Sequence, residues 1–341
     1  MMVNSGYVAV ETFLDSLQLA AGVWAIVVGL RGWFASRGER PDVAQERLEE
    51  RTYLAALLGY LVLGLSLISW LVFYLMLDSF VPQWPGAMCI YGITQIGSGS
   101  SGVYGWLPKL VATIQAFKPA LVFAAGASLV LYRFYRSQGT RTLLPRVACL
   151  FSVVALMASL DATAGLAYVA IPKRENVPTS GCCSASAPGH ERVGPPSLQQ
   201  QQQLQWGYYG CHLVMAGLLL HRIRRADRVG LSLELPLVAM AALTLGVSLQ
   251  FLIDFASPRL LHLPYHRCLY DLVPGVPESG ATIGLLLWGT FCVGWGSVVR
   301  WLGRSPDSEI AAAAEARRWC AYALVGYAGS VAMLSLDLWL A

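Results

Sequence analysis

Charged side chains are scarce in this chain. They make up 13% of 341 residues, against about a quarter in an ordinary soluble protein, so a conventional soluble surface is excluded. Motifs that announce a reaction are missing too. There is no nucleotide-binding loop, no GxSxG elbow, no HExxH helix and no CxxC pair, and the Gly/Ser tract 97–102, though spaced GxGxxG, follows no strand pattern and reads as a flexible connection instead of a dinucleotide fingerprint. ATP-driven work by this chain alone is therefore not expected, and the familiar dithiol motif of redox proteins is lacking. The net charge of +4 reflects arginines that cluster between apolar runs, and nothing in it points to nucleic acid.

What the chain has in abundance is apolar sequence, at 56% of its residues. It falls in eight runs, near 12–34, 54–76, 110–132, 147–171, 206–221, 235–255, 280–299 and 319–340. Most approach the ~20 residues that cross ~30 Å of hydrocarbon. A lipid-spanning segment must satisfy its own backbone polar groups, and unbroken apolar runs exclude the alternation of a barrel, so each run is expected to be a helix. The fold class predicted is an all-α polytopic integral membrane protein with about eight transmembrane helices. Residues 1–341 read as a single transmembrane domain, with extracytoplasmic loops at 77–109, 172–205 and 256–279.

Orientation follows from the arginines, because loops rich in Lys and Arg stay in the cytoplasm. Arg31 to Arg51 follow the first run, Arg133 to Arg146 the third, Arg222 to Arg228 the fifth and Arg300 to Arg318 the seventh. Both termini are then expected outside, with the protein in the plasma (inner) membrane. The first run has no basic region before it and is expected to remain in the mature protein.

Local features refine this picture. The polar stretch 35–52 reads as a short solvated helix opened by Pro41. Lys118 and Pro119 interrupt the third run, as a snorkelling lysine at a kink or as a paired cation. Pro258 is expected to end the sixth run. The glutamines 199–203 read as part of a mobile loop with Cys182, Cys183 and His190. Glycines of the seventh run, among them Gly289 and Gly296, suit close helix approach.

The richest chemical stretch is 262–274, HLPYHRCLYDLVP. On the predicted topology Cys89, Cys182, Cys183 and Cys268 all lie outside with His190, His262 and His266. Thiolate and imidazole together suit copper or zinc, and an extended 266–268 would project His266 and Cys268 to one side. Within the membrane, Asp15, Asp161, Asp254 and Asp337, with Lys118, are candidates for a polar path, because charge there is costly unless it faces protein or water. Glu11 and Gln18 belong to the same face of the argument.

Three functions fit this sequence. The leading expectation is a membrane protein that binds a soft metal ion, copper or zinc, at Cys268, His266, His262, Cys182, Cys183 and Cys89, and that could also transport it. The second is a thiol-disulfide oxidoreductase passing electrons to a membrane quinone. The third is a membrane anchor subunit of a larger complex whose outer cysteines form structural disulfides. Partners implied are the lipid bilayer, other membrane subunits and extracytoplasmic thiol or metal carriers.

Overall fold

The computed structural model describes residues 5–35, 41–84, 87, 89–139, 143–172, 197–224, 234–263, 266–305 and 308–341. Among the described residues the chain is all-helical. The elements are α1 (Ser5–Ala35), α2 (Pro41–Phe80), α3 (Ile90–Thr94), α4 (Leu107–Gln138), α5 (Leu144–Ala170), α6 (Leu198–Arg224), α7 (Glu234–Phe251), α8 (Ser257–Leu260), α9 (Leu269–Gly275), α10 (Glu278–Leu302) and α11 (Glu309–Leu340). Short 3-10 turns at Val81–Gln83 and Gly102–Trp106 and a π-helical turn at Leu252–Ala256 join them.

Seven of the long helices have the length and apolar character needed to cross a membrane, which suggests a membrane-embedded protein. The eighth, α6, is diluted by its glutamines. Large apolar side chains such as Phe13, Trp24, Leu71, Leu213 and Val325 lie exposed on the helix exteriors. In water that would be costly, whereas lipid receives them without penalty.

Contacts divide the chain into two compact units, Met1–Ser180 and Gly181–Ala341. In the first, α1 packs on α2 and α5, and α4 packs on α2 and α5. Small residues hold this core together: Ala21, Ala125 and Ala158 are buried with Val62, Leu121 and Val154. In the second unit α10 and α11 form the closest pair. A methyl group on Gly326 would come within 2.9 Å of the Gly289 backbone, so both positions need glycine for the two helices to approach. Beside them the rings of Tyr208, Phe251 and Phe255 stack at centroid distances of 4.3 and 4.7 Å.

Several sequence expectations need correction. The polar stretch 41–52 is not a separate helix: α2 runs for 40 residues from Pro41, and nothing between the polar and apolar parts breaks it. The glutamines 199–203 are helical, not part of a loop that lasts to 205. Glutamine is a good helix former, and Ser197 starts the helix with a reciprocal cap. The Gln200 amide donates to Ser197 Oγ at 3.2 Å, and the Ser197 amide donates to Gln200 Oε1 at 3.0 Å. Pro258 does not end the sixth run either. The chain widens into the π turn just before it and continues to Leu260, which relieves the clash a proline makes with the turn behind it. Finally, α4 passes unbroken through Pro119.

A buried charge cluster as the candidate functional site

The site in the first unit grows from the periodicity of α1. Glu11, Asp15 and Gln18 fall at i, i+4 and i+7, one face of a helix, and each is no more than 1% exposed. The neighbouring helices answer with Ser66 and Ser69 from α2, Lys118 from α4 and Asp161 from α5, all equally buried. Asp15, Ser69, Lys118 and Asp161 stand nine to eleven residues from one end of their helices. At 1.5 Å per residue that places the cluster roughly 15 Å in from that end of the bundle, about a third of the way along each helix.

Lys118 is the hub. Its Nζ lies 3.4 Å from Glu11 Oε1 and 3.5 Å from Asp161 Oδ2, and it donates to Ser69 Oγ at 2.5 Å. Ser69 passes the polarity on by donating to Glu11 Oε1 at 2.9 Å. On the other side Gln18 Nε2 donates to Asp161 Oδ2 at 2.9 Å and to the Ala158 carbonyl at 3.2 Å. Ser66 donates to the Val62 carbonyl at 2.7 Å and stands 3.2 Å from Gln18 Oε1. The lysine is therefore paired on two sides and does not snorkel to the surface.

The balance of the cluster is uneven. Three carboxylates face one ammonium. Glu11 and Asp161 each receive donors on one oxygen, while Glu11 Oε2 and Asp161 Oδ1 receive none among the described residues. Asp15 receives none on either oxygen among the described residues, the Ser69 hydroxyl beside it being committed to Glu11. It rests against Gly165 of α5, where a Cβ would collide with Oδ2. A buried carboxylate without a donor costs several kcal/mol as an ion.

The other sequence candidates are placed as follows. Cys89 is buried at the start of α3, and Cys268 is buried in extended backbone just before α9. His262 occupies a turn with φ +54, a conformation a non-glycine residue seldom adopts. His266 Nε2 donates to Asp271 Oδ2 at 2.6 Å, which engages the imidazole with an acid five residues further along the chain. Asp254 pairs with Arg267 at 3.6 Å, both partly exposed. Asp337, near the end of α11, has no donor on Oδ2 among the described residues. Cys182, Cys183 and His190 lie outside the described residues.

Sequence reasoning missed one buried ion pair. Arg222 at the end of α6 meets Glu234 at the start of α7 at 2.9 Å, both 2% exposed, and Ser297 of α10 donates to Glu234 Oε2 at 3.1 Å. Its only sequence signal is an acid opening a helix shortly after a basic helix end. It also missed Ser66, Ser69 and Gly165, which look like the ordinary small residues of any membrane helix.

Comparison with protein-family models, curated proteins and solved structures finds nothing that matches this chain. The class that the fold itself suggests is a helical membrane protein with an intramembrane charge cluster.

Proposed function

We propose that this protein is an ion-driven membrane transporter and that the Glu11, Asp15, Lys118 and Asp161 cluster is its charge-handling centre. The observation that carries the reading is a lysine buried among three carboxylates, one of them without a donor among the described residues, about a third of the way along a bundle of apolar helices. Groups so costly to bury mark ion and proton pathways in membranes. In this reading α6 is the eighth span, both termini face outward, and the arginine-rich helix ends lie in the cytoplasm of a plasma (inner) membrane.

The cargo of this proposal is a soft cation, copper or zinc, captured by the outer cysteines and histidines. Thiol and imidazole chemistry in those loops supports it. The cluster contains only oxygen donors and one amine, so it serves charge balance and takes no part in capture. Capture at His266 requires its imidazole to leave Asp271, with thiols drawn from Cys89, Cys182, Cys183 and Cys268.

The test is uptake by the full chain reconstituted in proteoliposomes, with zinc outside and a zinc-sensitive dye inside. Asp161→Asn is expected to abolish uptake, while Asp78→Asn, on the exposed end of α2, leaves it unchanged. Equal uptake by wild type and Asp161→Asn, or none by wild type with either zinc or copper(I), removes the proposal.

A further inference from the structure

The proposed transport needs a driving ion, and resting on that reading we infer that the ion is a proton held on the carboxyl group of Asp15. The argument is one of charge and donors. If Glu11, Asp15 and Asp161 were all ionised beside one ammonium, the cluster would carry two uncompensated negative charges in apolar surroundings. Glu11 has Ser69 and Lys118 beside it, and Asp161 has Gln18 and Lys118. Each of these two is supported as an anion. Among the described residues neither oxygen of Asp15 accepts a hydrogen bond, at 0% exposure, and the neighbouring Ser69 hydroxyl gives its proton to Glu11, so of the three it is the one the protein leaves to be neutralised by something added.

The surroundings of Asp15 favour a proton over a larger ion. Gly165 brings the α5 backbone directly against the carboxyl, leaving that side no room for a coordination shell. The charged groups facing Asp15 are Glu11 on its own helix, Lys118 on α4 and Asp161 on α5. Tyr168, buried one turn beyond Gly165, is the remaining titratable group on α5 near this level, and α2 contributes hydroxyls alone.

The exchange step is simple in its balance. A proton from water adds to one Asp15 oxygen and forms an O–H bond, and the cluster then carries one net negative charge where it carried two. On release that bond breaks heterolytically and the proton passes to water on the side then open. No electrons move. Lys118 keeps its own proton throughout, shared between Glu11 and Asp161, and acts as a positioning residue for both.

The test reads the proton itself. Infrared difference spectra of the full chain in lipid nanodiscs, taken on a step from neutral to alkaline pH, report the carbonyl stretch of a protonated carboxyl. Wild type is expected to show this band at neutral pH and to lose it on the alkaline side. Asp15→Asn should abolish it, Asp15→Glu should keep it at a shifted frequency, and Glu11→Gln and Asp161→Asn should retain it. If Asp15→Asn does not fold, the Glu variant and the two retained bands decide the matter. Absence of the band in wild type, its survival in Asp15→Asn, or its loss in Glu11→Gln alone overturns the inference. Zinc uptake is measured on the same preparations. A band that follows Asp15 in a protein that transports nothing overturns the transport reading and leaves the proton on Asp15 standing.

Discussion

The carboxyl group of Asp15 on α1 rests against Gly165 on α5, where any other residue would place its Cβ on top of Oδ2. The contact ties the least supported acid of the cluster to the packing of two helices. Gly165→Ala is expected to lower stability by about 1–3 kcal/mol, the usual cost of overpacking. Combining it with Asp15→Ala, which removes the colliding atoms, should recover part of that loss. Thermal unfolding in detergent, followed by circular dichroism, gives both values. Strict additivity of the two substitutions would show that the contact is not felt.

Lys118 neutralises Glu11 and Asp161 at once. Lys118→Met keeps the length and apolar stem but removes the charge, leaving two buried carboxylates without their cation. A loss of about 3–5 kcal/mol is expected. The triple variant Lys118→Met, Glu11→Gln, Asp161→Asn should be more stable than Lys118→Met alone. A triple variant that is weaker still would mean that the hydrogen bonds matter more than the charges.

The same logic applies in the second unit to Arg222 and Glu234, paired at 2.9 Å. Arg222→Met alone should cost about 3–5 kcal/mol, whereas Arg222→Met with Glu234→Met should approach wild type, because a buried pair replaced by apolar residues is often neutral. Unfolding midpoints of the two single variants and the double variant check this.

Orientation is tested with single introduced cysteines at two exposed positions of the first unit, Ser101 just before α4 and Gln138 at the end of that helix. In intact cells an impermeant thiol reagent should label Ser101→Cys beyond the background of the native thiols. Gln138→Cys should gain label only once the membrane is opened. The reverse pattern would turn the protein over.

Much of this structure could be read from the amino-acid order, for physical reasons that differ by element. Long apolar runs must be helices in lipid, and acids such as Asp15 and Asp161 must face the bundle, because neither has a cheaper alternative. The partner of Lys118 could not be read. A lysine beside a proline can snorkel or pair, and the choice depends on Glu11 and Asp161, which are distant in sequence. The reach of α2 back to Pro41 and of α6 back to Leu198 was obscured by composition. Polar residues look like loop until a cap such as Ser197 with Gln200 is recognised. Ser69 and Gly165 gave no signal, since their importance lies in what stands opposite them.

Proton movement coupled to cargo is the measurement that bears most directly on the charge cluster. Proteoliposomes carrying the full chain and an internal pH-sensitive dye are given a sudden external zinc concentration. Wild type should export protons as zinc enters, with both Asp15→Asn and Asp161→Asn losing the proton signal. Zinc entry without any proton movement, or a proton signal that persists in both variants, would contradict the account.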